Sequence, residues 1–244
     1  MVGINAYLAL GSAIVSGVFA GMVFRQFAAK RKVYQLAWGI GLALFTLASS
    51  IEFISEVTGG WTVSLYKSYV VLHPTLVAVL GLGTVYLLAS KKVGHAFLAY
   101  IIVFFPIFLF LIVTAPIAVS ESQPDRILCG EGAEQAVCQP GRVVGDDALT
   151  GIARRLSFFF NIPGAAALIG GAVYSWYRTR WSYNLLIAAG AGLMATGGTL
   201  TTLGQAELLY IFLLIGIAIM FVGFLRSLEV SRAPRPEPVP SSAQ

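Results

Sequence analysis

Leu208-Leu-Tyr-Ile-Phe-Leu-Leu-Ile-Gly-Ile-Ala-Ile-Met-Phe-Val-Gly-Phe-Leu225 runs for eighteen residues without a charge. As a helix rising about 1.5 Å per residue it would be about 27 Å long, close to the roughly 30 Å hydrocarbon core of a bilayer. Backbone amides in oil must be satisfied within their own segment or in a closed barrel, and barrel strands would show alternation over stretches of about ten residues. None is present, so the run predicts a membrane-spanning helix. Working outward from it, six more long apolar runs bounded by charged or turn-forming residues lie at 4–24, 33–54, 62–89, 94–119, 156–177 and 182–203. With 208–225 they predict an all-α membrane protein, a bundle of seven transmembrane helices.

Composition supports the same class. Of 244 residues, 57% are hydrophobic and only 11% are charged, whereas about a quarter of a soluble domain is charged. An ordinary soluble enzyme, a disordered chain, a collagen-like fibre and a disulfide-dense scaffold are thereby excluded. The first apolar run lacks a positively charged start, and Arg25, Lys30, Arg31 and Lys32 follow it instead. It therefore reads as a retained helix rather than a secretory signal.

Short loops rich in Lys and Arg stay on the cytoplasmic side. Those four residues place the N-terminus outside. Alternation then puts Lys91 and Lys92, Arg178 and Arg180, and Arg226, Arg232 and Arg235 inside, with the C-terminus cytoplasmic. The expected location is the plasma membrane. The net charge of +5 is the mark of a basic rim facing anionic lipid, and no nucleic-acid module is present.

The division expected is a transmembrane domain over 1–226 and a disordered cytoplasmic tail over 227–244, whose Ala233-Pro-Arg-Pro-Glu-Pro-Val-Pro stretch cannot pack. The external loop 120–150 holds the only two cysteines, Cys129 and Cys138. A disulfide between them is expected in an oxidising compartment, contributing roughly 2 to 3 kcal/mol.

Ionisable residues inside spans cost several kcal/mol unless they are paired or face a cavity. The second and third runs turn around Gly59 and Gly60, with Glu52 seven residues before and Lys67 seven after. Equal depth predicts that they pair. Glu56 stands one turn above Glu52 on the same face, and Tyr66 and Tyr69 flank Lys67. Arg154 and Arg155 enter the fifth run, Asn161 follows about two turns deeper, Glu207 opens the seventh, and His73 precedes Pro74 in mid-span. Together they predict a polar pocket in the outer half of the bundle for a small polar ligand, an ion or a proton. The competing structural reading makes the Glu52–Lys67 pair a register lock and the boundary residues snorkelling side chains. It makes His73 a hydrogen-bonded core residue.

Metal and cofactor chemistry find little to stand on. His73 and His95 differ in depth by roughly half a bilayer, too far apart to ligate one haem between them. No His-Glu-x-x-His helix is present and no cysteine lies within a span. No cofactor or metal is expected, and enzyme is the less favoured class. The abundant span glycines are expected to serve close helix packing. Seven helices with an outside N-terminus match the rhodopsins in span count only, since the last run has no lysine for retinal.

Glu52, the Leu80-Gly-Leu-Gly-Thr-Val-Tyr-Leu-Leu88 run, Asn161-Ile-Pro-Gly164 continuing to Tyr174-Ser-Trp176, and Phe221-Val-Gly-Phe-Leu225 resemble a family of uncharacterised prokaryotic seven-helix membrane proteins. The resemblance covers most of spans two to seven. It implies an integral membrane bundle and no particular activity, and no site residue follows from it.

Three functions remain open on sequence. One is a non-enzymatic sensor of a small ligand or ion, or a small transporter, acting through the outer polar pocket. Another is a structural or accessory subunit of a larger membrane complex, with membrane-protein partners or self-association through the glycine-rich faces. The third is a membrane redox or lipid-modifying enzyme. The lipid bilayer is the one partner all three share.

Overall fold

The computed structural model describes residues 3–117, 119–120, 123–129, 136–137, 152–202 and 208–232. The chain runs through α1 (Ile4–Lys30), α2 (Val33–Val57), α3 (Val63–Leu88) and α4 (Lys91–Thr114). Two short strands, β1 (Leu128–Cys129) and β2 (Ala136–Val137), then pair antiparallel with Leu128 opposite Val137. Next come α5 (Ile152–Ala165), a π-helical segment (Ala166–Gly170) and α6 (Gly171–Thr179), which form one continuous helical path. The described part closes with α7 (Ser182–Thr202) and α8 (Leu208–Arg232).

Among the described residues six helical stretches are long and apolar enough to cross a bilayer: α1, α2, α3, α4, Arg155–Thr179 and α8. The chain is a multi-pass helical membrane protein. The α7 helix, which carries the sixth apolar run of the sequence, is less apolar than these six. Gly190, Gly192, Gly197 and Gly198, with Thr196 and Thr199, dilute it. It is held instead by close approach to α8: a methyl group on Gly190 would lie 2.5 Å from the Gly216 carbonyl oxygen. Such contact between backbones is what small residues allow in a bilayer.

Helix limits follow local chemistry. The first helix continues past its apolar run to Lys30 and ends at Arg31, which takes a left-handed conformation (φ 52°) and donates its N–H to the Phe27 carbonyl. The fourth begins at Lys91, after Ser90 accepts from the Val93 N–H, and ends at Thr114 rather than 119. Pro116 keeps Ala115 out of the helical region, at φ −61° and ψ 132°. Within α5, Pro163 has no N–H to offer the Phe159 carbonyl, and the Tyr100 hydroxyl of α4 supplies the missing donor at 2.6 Å.

The α2–α3 hairpin turns where the two glycines predict it. Gly59 has φ 87° and Gly60 φ 124°, values an L side chain rarely adopts. The third helix then serves both hydrophobic cores. One joins α3, α4 and α5 through Leu82, Phe108, Ile112 and Phe160. The other joins α1, α2, α3 and α8 through Phe19, Leu42, Leu80, Leu213 and Ile217.

Candidate functional site: a buried acidic and aromatic cluster

The buried face of α2 reads Leu42, Phe45, Ser49, Glu52 and Glu56 at helical spacing. Its last two positions are carboxylates, 2% and 6% exposed. The same stripe that carries the core therefore carries two acids into it. Two other helices supply tyrosines. Tyr69 of α3 lies near Glu52, and the Tyr210 hydroxyl of α8 donates to Glu56 Oε1 at 3.0 Å. Tyr210 is itself 1% exposed, so this bond is an interhelical tie from which water is excluded.

Tyr66, Tyr69 and His73 recur at intervals of three and four on α3 and so share one face. The Tyr69 and His73 rings lie 5.4 Å apart. Trp61, in the turn before α3, meets Tyr69 at a tilt of 54° at 5.2 Å and Tyr66 edge-on at 6.1 Å.

The segment after α4 covers this end of the hairpin. Ile127, fully buried, donates its N–H to the Trp61 carbonyl, and the Val63 N–H bonds to the Asp125 carbonyl. Arg126 reaches the Gly60 carbonyl at 2.8 Å and the Thr58 carbonyl at 2.7 Å. A cation there satisfies the free carbonyls at the end of α2 and sits favourably against its dipole. The carboxylates are thus closed in by tyrosines, with an indole and a pinned loop above them.

Lys67 does not pair with Glu52. Its ammonium donates to the carbonyls of Val113 at 2.6 Å and Ala115 at 3.0 Å, capping the end of α4. Depth was matched but direction was not. Two residues before Tyr69 is about 200° around the helix, so Lys67 points toward α4 while Tyr69 points toward α2. The fifth span also sits elsewhere. The α5 helix packs against α3 and α4, with Arg155 exposed and Asn161 half-buried, whereas the carboxylates are met from α3 and α8. Arg154 lies on α5 with its side chain outside the described residues. Glu207 and Cys138 lie outside them as well, so the expected Cys129–Cys138 bridge does too.

Sequence reasoning missed Tyr210 and Trp61. A tyrosine within an otherwise uniformly apolar span was the available signal, because a buried phenol needs a hydrogen-bond partner. Chemically, the cluster offers two carboxylates, phenol oxygens and ring faces, a set suited to a cation. Among the described residues no group of three or more His, Cys, Asp or Glu side chains could hold a metal ion. No family model matches the chain, and no curated protein or solved structure matches it.

Proposed function

We propose that the chain is a non-enzymatic plasma-membrane protein, N-terminus outside and C-terminus cytoplasmic, that takes a small cation at Glu52 and Glu56 as a sensor or small transporter. The observation that carries this reading is the pair of buried acids one turn apart on α2, with Tyr210 of α8 donating to Glu56 and Tyr69 of α3 near Glu52. Glu52, when ionised in a low-dielectric interior, calls for a balancing positive charge. Lys67 is committed to α4, and among the described residues no lysine or arginine stands beside Glu52. An exchangeable cation, inorganic or a small organic ammonium, fills that role, with Tyr66, Tyr69, His73 and Trp61 as its aromatic walls. It enters past Trp61 and the Arg126–Ile127 cover, which a Cys129–Cys138 disulfide would stiffen. The resemblance to uncharacterised prokaryotic seven-helix membrane proteins agrees with this placement and adds no activity to it.

The test is thermal unfolding of the full chain in lipid nanodiscs against a panel of inorganic and organic cations at constant ionic strength. A ligand at a hundred times its Kd stabilises by about 2.7 kcal/mol. At least one cation raises the Tm of the wild type and not of folded Glu52→Gln. Equal shifts in both proteins refute the site. A stoichiometric partner surviving gentle purification, with no cation effect, favours the accessory-subunit reading.

A further inference from the structure

A cleft lies between α1, α2, α3, α6, α7 and α8, at the opposite end of the bundle from the carboxylates. Trp38, which lines it, is fourteen residues before Glu52 on α2, about 21 Å along the helix axis. The walls are mostly aliphatic and aromatic: Val23, Leu42, Leu80, Leu168, Met220 and Phe224. Thr84, Ser175 and Asn184 give a small polar margin. This is the composition of a site for a largely apolar molecule with one or two oriented polar atoms.

Two observations say what enters it. First, one wall contains the π-helical segment, with Leu168 inside it and Gly171 directly after it. Such a bulge widens a helix locally and is frequent at functional sites. Second, exposed cations gather at this end of the bundle. Lys30, Arg31 and Lys32 lie at the α1–α2 junction, Lys91 and Lys92 at the start of α4, and Arg178 at the end of α6. An anionic headgroup has partners there.

We infer that this cleft is a binding site for an anionic phospholipid: one acyl chain lies in it, and the phosphate headgroup sits among the lysines and arginines of the same end.

The experiment reconstitutes the full chain in nanodiscs of phosphatidylcholine carrying increasing fractions of phosphatidylglycerol brominated in one acyl chain. Trp38 quenching is the difference between wild type and Trp38→Phe. A bound lipid gives quenching that saturates, with its midpoint at about a fivefold lower mole fraction than for brominated phosphatidylcholine, the factor worth one basic side chain against an anionic surface. Leu88→Phe, at a half-exposed position in the cleft wall, weakens it by occupying the space. Lys91→Gln with Lys92→Gln, both exposed, moves the midpoint toward that of phosphatidylcholine. Quenching that rises linearly and equally for both lipids, or is unchanged in Leu88→Phe, overturns the site. A saturable signal identical for the two lipids overturns the anionic assignment.

Discussion

Removing the Tyr210 hydroxyl isolates the tie between α8 and α2. Tyr210→Phe keeps the ring, which is 1% exposed, and deletes only the donor that lies 3.0 Å from Glu56 Oε1. Interhelical hydrogen bonds in bilayers contribute about 0.6 kcal/mol on average and about 1.7 at most, while bonds to charged groups in proteins contribute about 1.5 to 3 kcal/mol. A buried carboxylate acceptor places this one near the overlap, at about 1.5 kcal/mol, more than tenfold in the unfolding equilibrium. The assay is a double-mutant cycle with Glu56→Gln, following unfolding in mixed micelles of increasing sodium dodecyl sulfate. Coupling of about 1 to 2 kcal/mol is expected. Independent sites agree within about 0.5 kcal/mol, so a coupling below that value refutes the tie.

Because Lys67 caps α4, Lys67→Met and Glu52→Gln should be additive within about 0.5 kcal/mol in the same unfolding assay; strong coupling would restore the ion pair. Lys67→Met should also speed amide hydrogen exchange at Ala115, whose N–H closes on Leu111 at the end of the capped helix. Tyr100→Phe should cost about 1 kcal/mol by leaving the Phe159 carbonyl without its donor, and much less in a Pro163→Ala background that restores the backbone amide. Gly81→Ala should destabilise by about 2 kcal/mol or more, since its methyl would lie 2.5 Å from the Gly164 carbonyl oxygen, a backbone atom that cannot turn aside.

The spans were legible because oil imposes a one-dimensional rule: apolar length decides. The α2–α3 turn was legible because only glycine suits the φ values at 59 and 60. The failures share a cause. Glu56 and Tyr210 are 154 residues apart, and which helix faces which is set by packing that no single span contains. Lys67 shows the same limit at short range, where counting residues gave depth but the direction around α3 depended on where α4 would lie. Nothing local in Pro163 announced that Tyr100, on another helix, would take its place as donor.

If an exchangeable cation is the partner of the two acids, its arrival must be felt by their carboxyl groups themselves. Infrared difference spectra of the nanodisc-embedded protein, recorded on switching to the cation that raises its Tm, report those stretching bands directly. Carboxylate signals in the wild type that vanish in Glu52→Gln and in Glu56→Gln are the predicted result. An identical difference spectrum in all three proteins, or none in the wild type, would contradict the account.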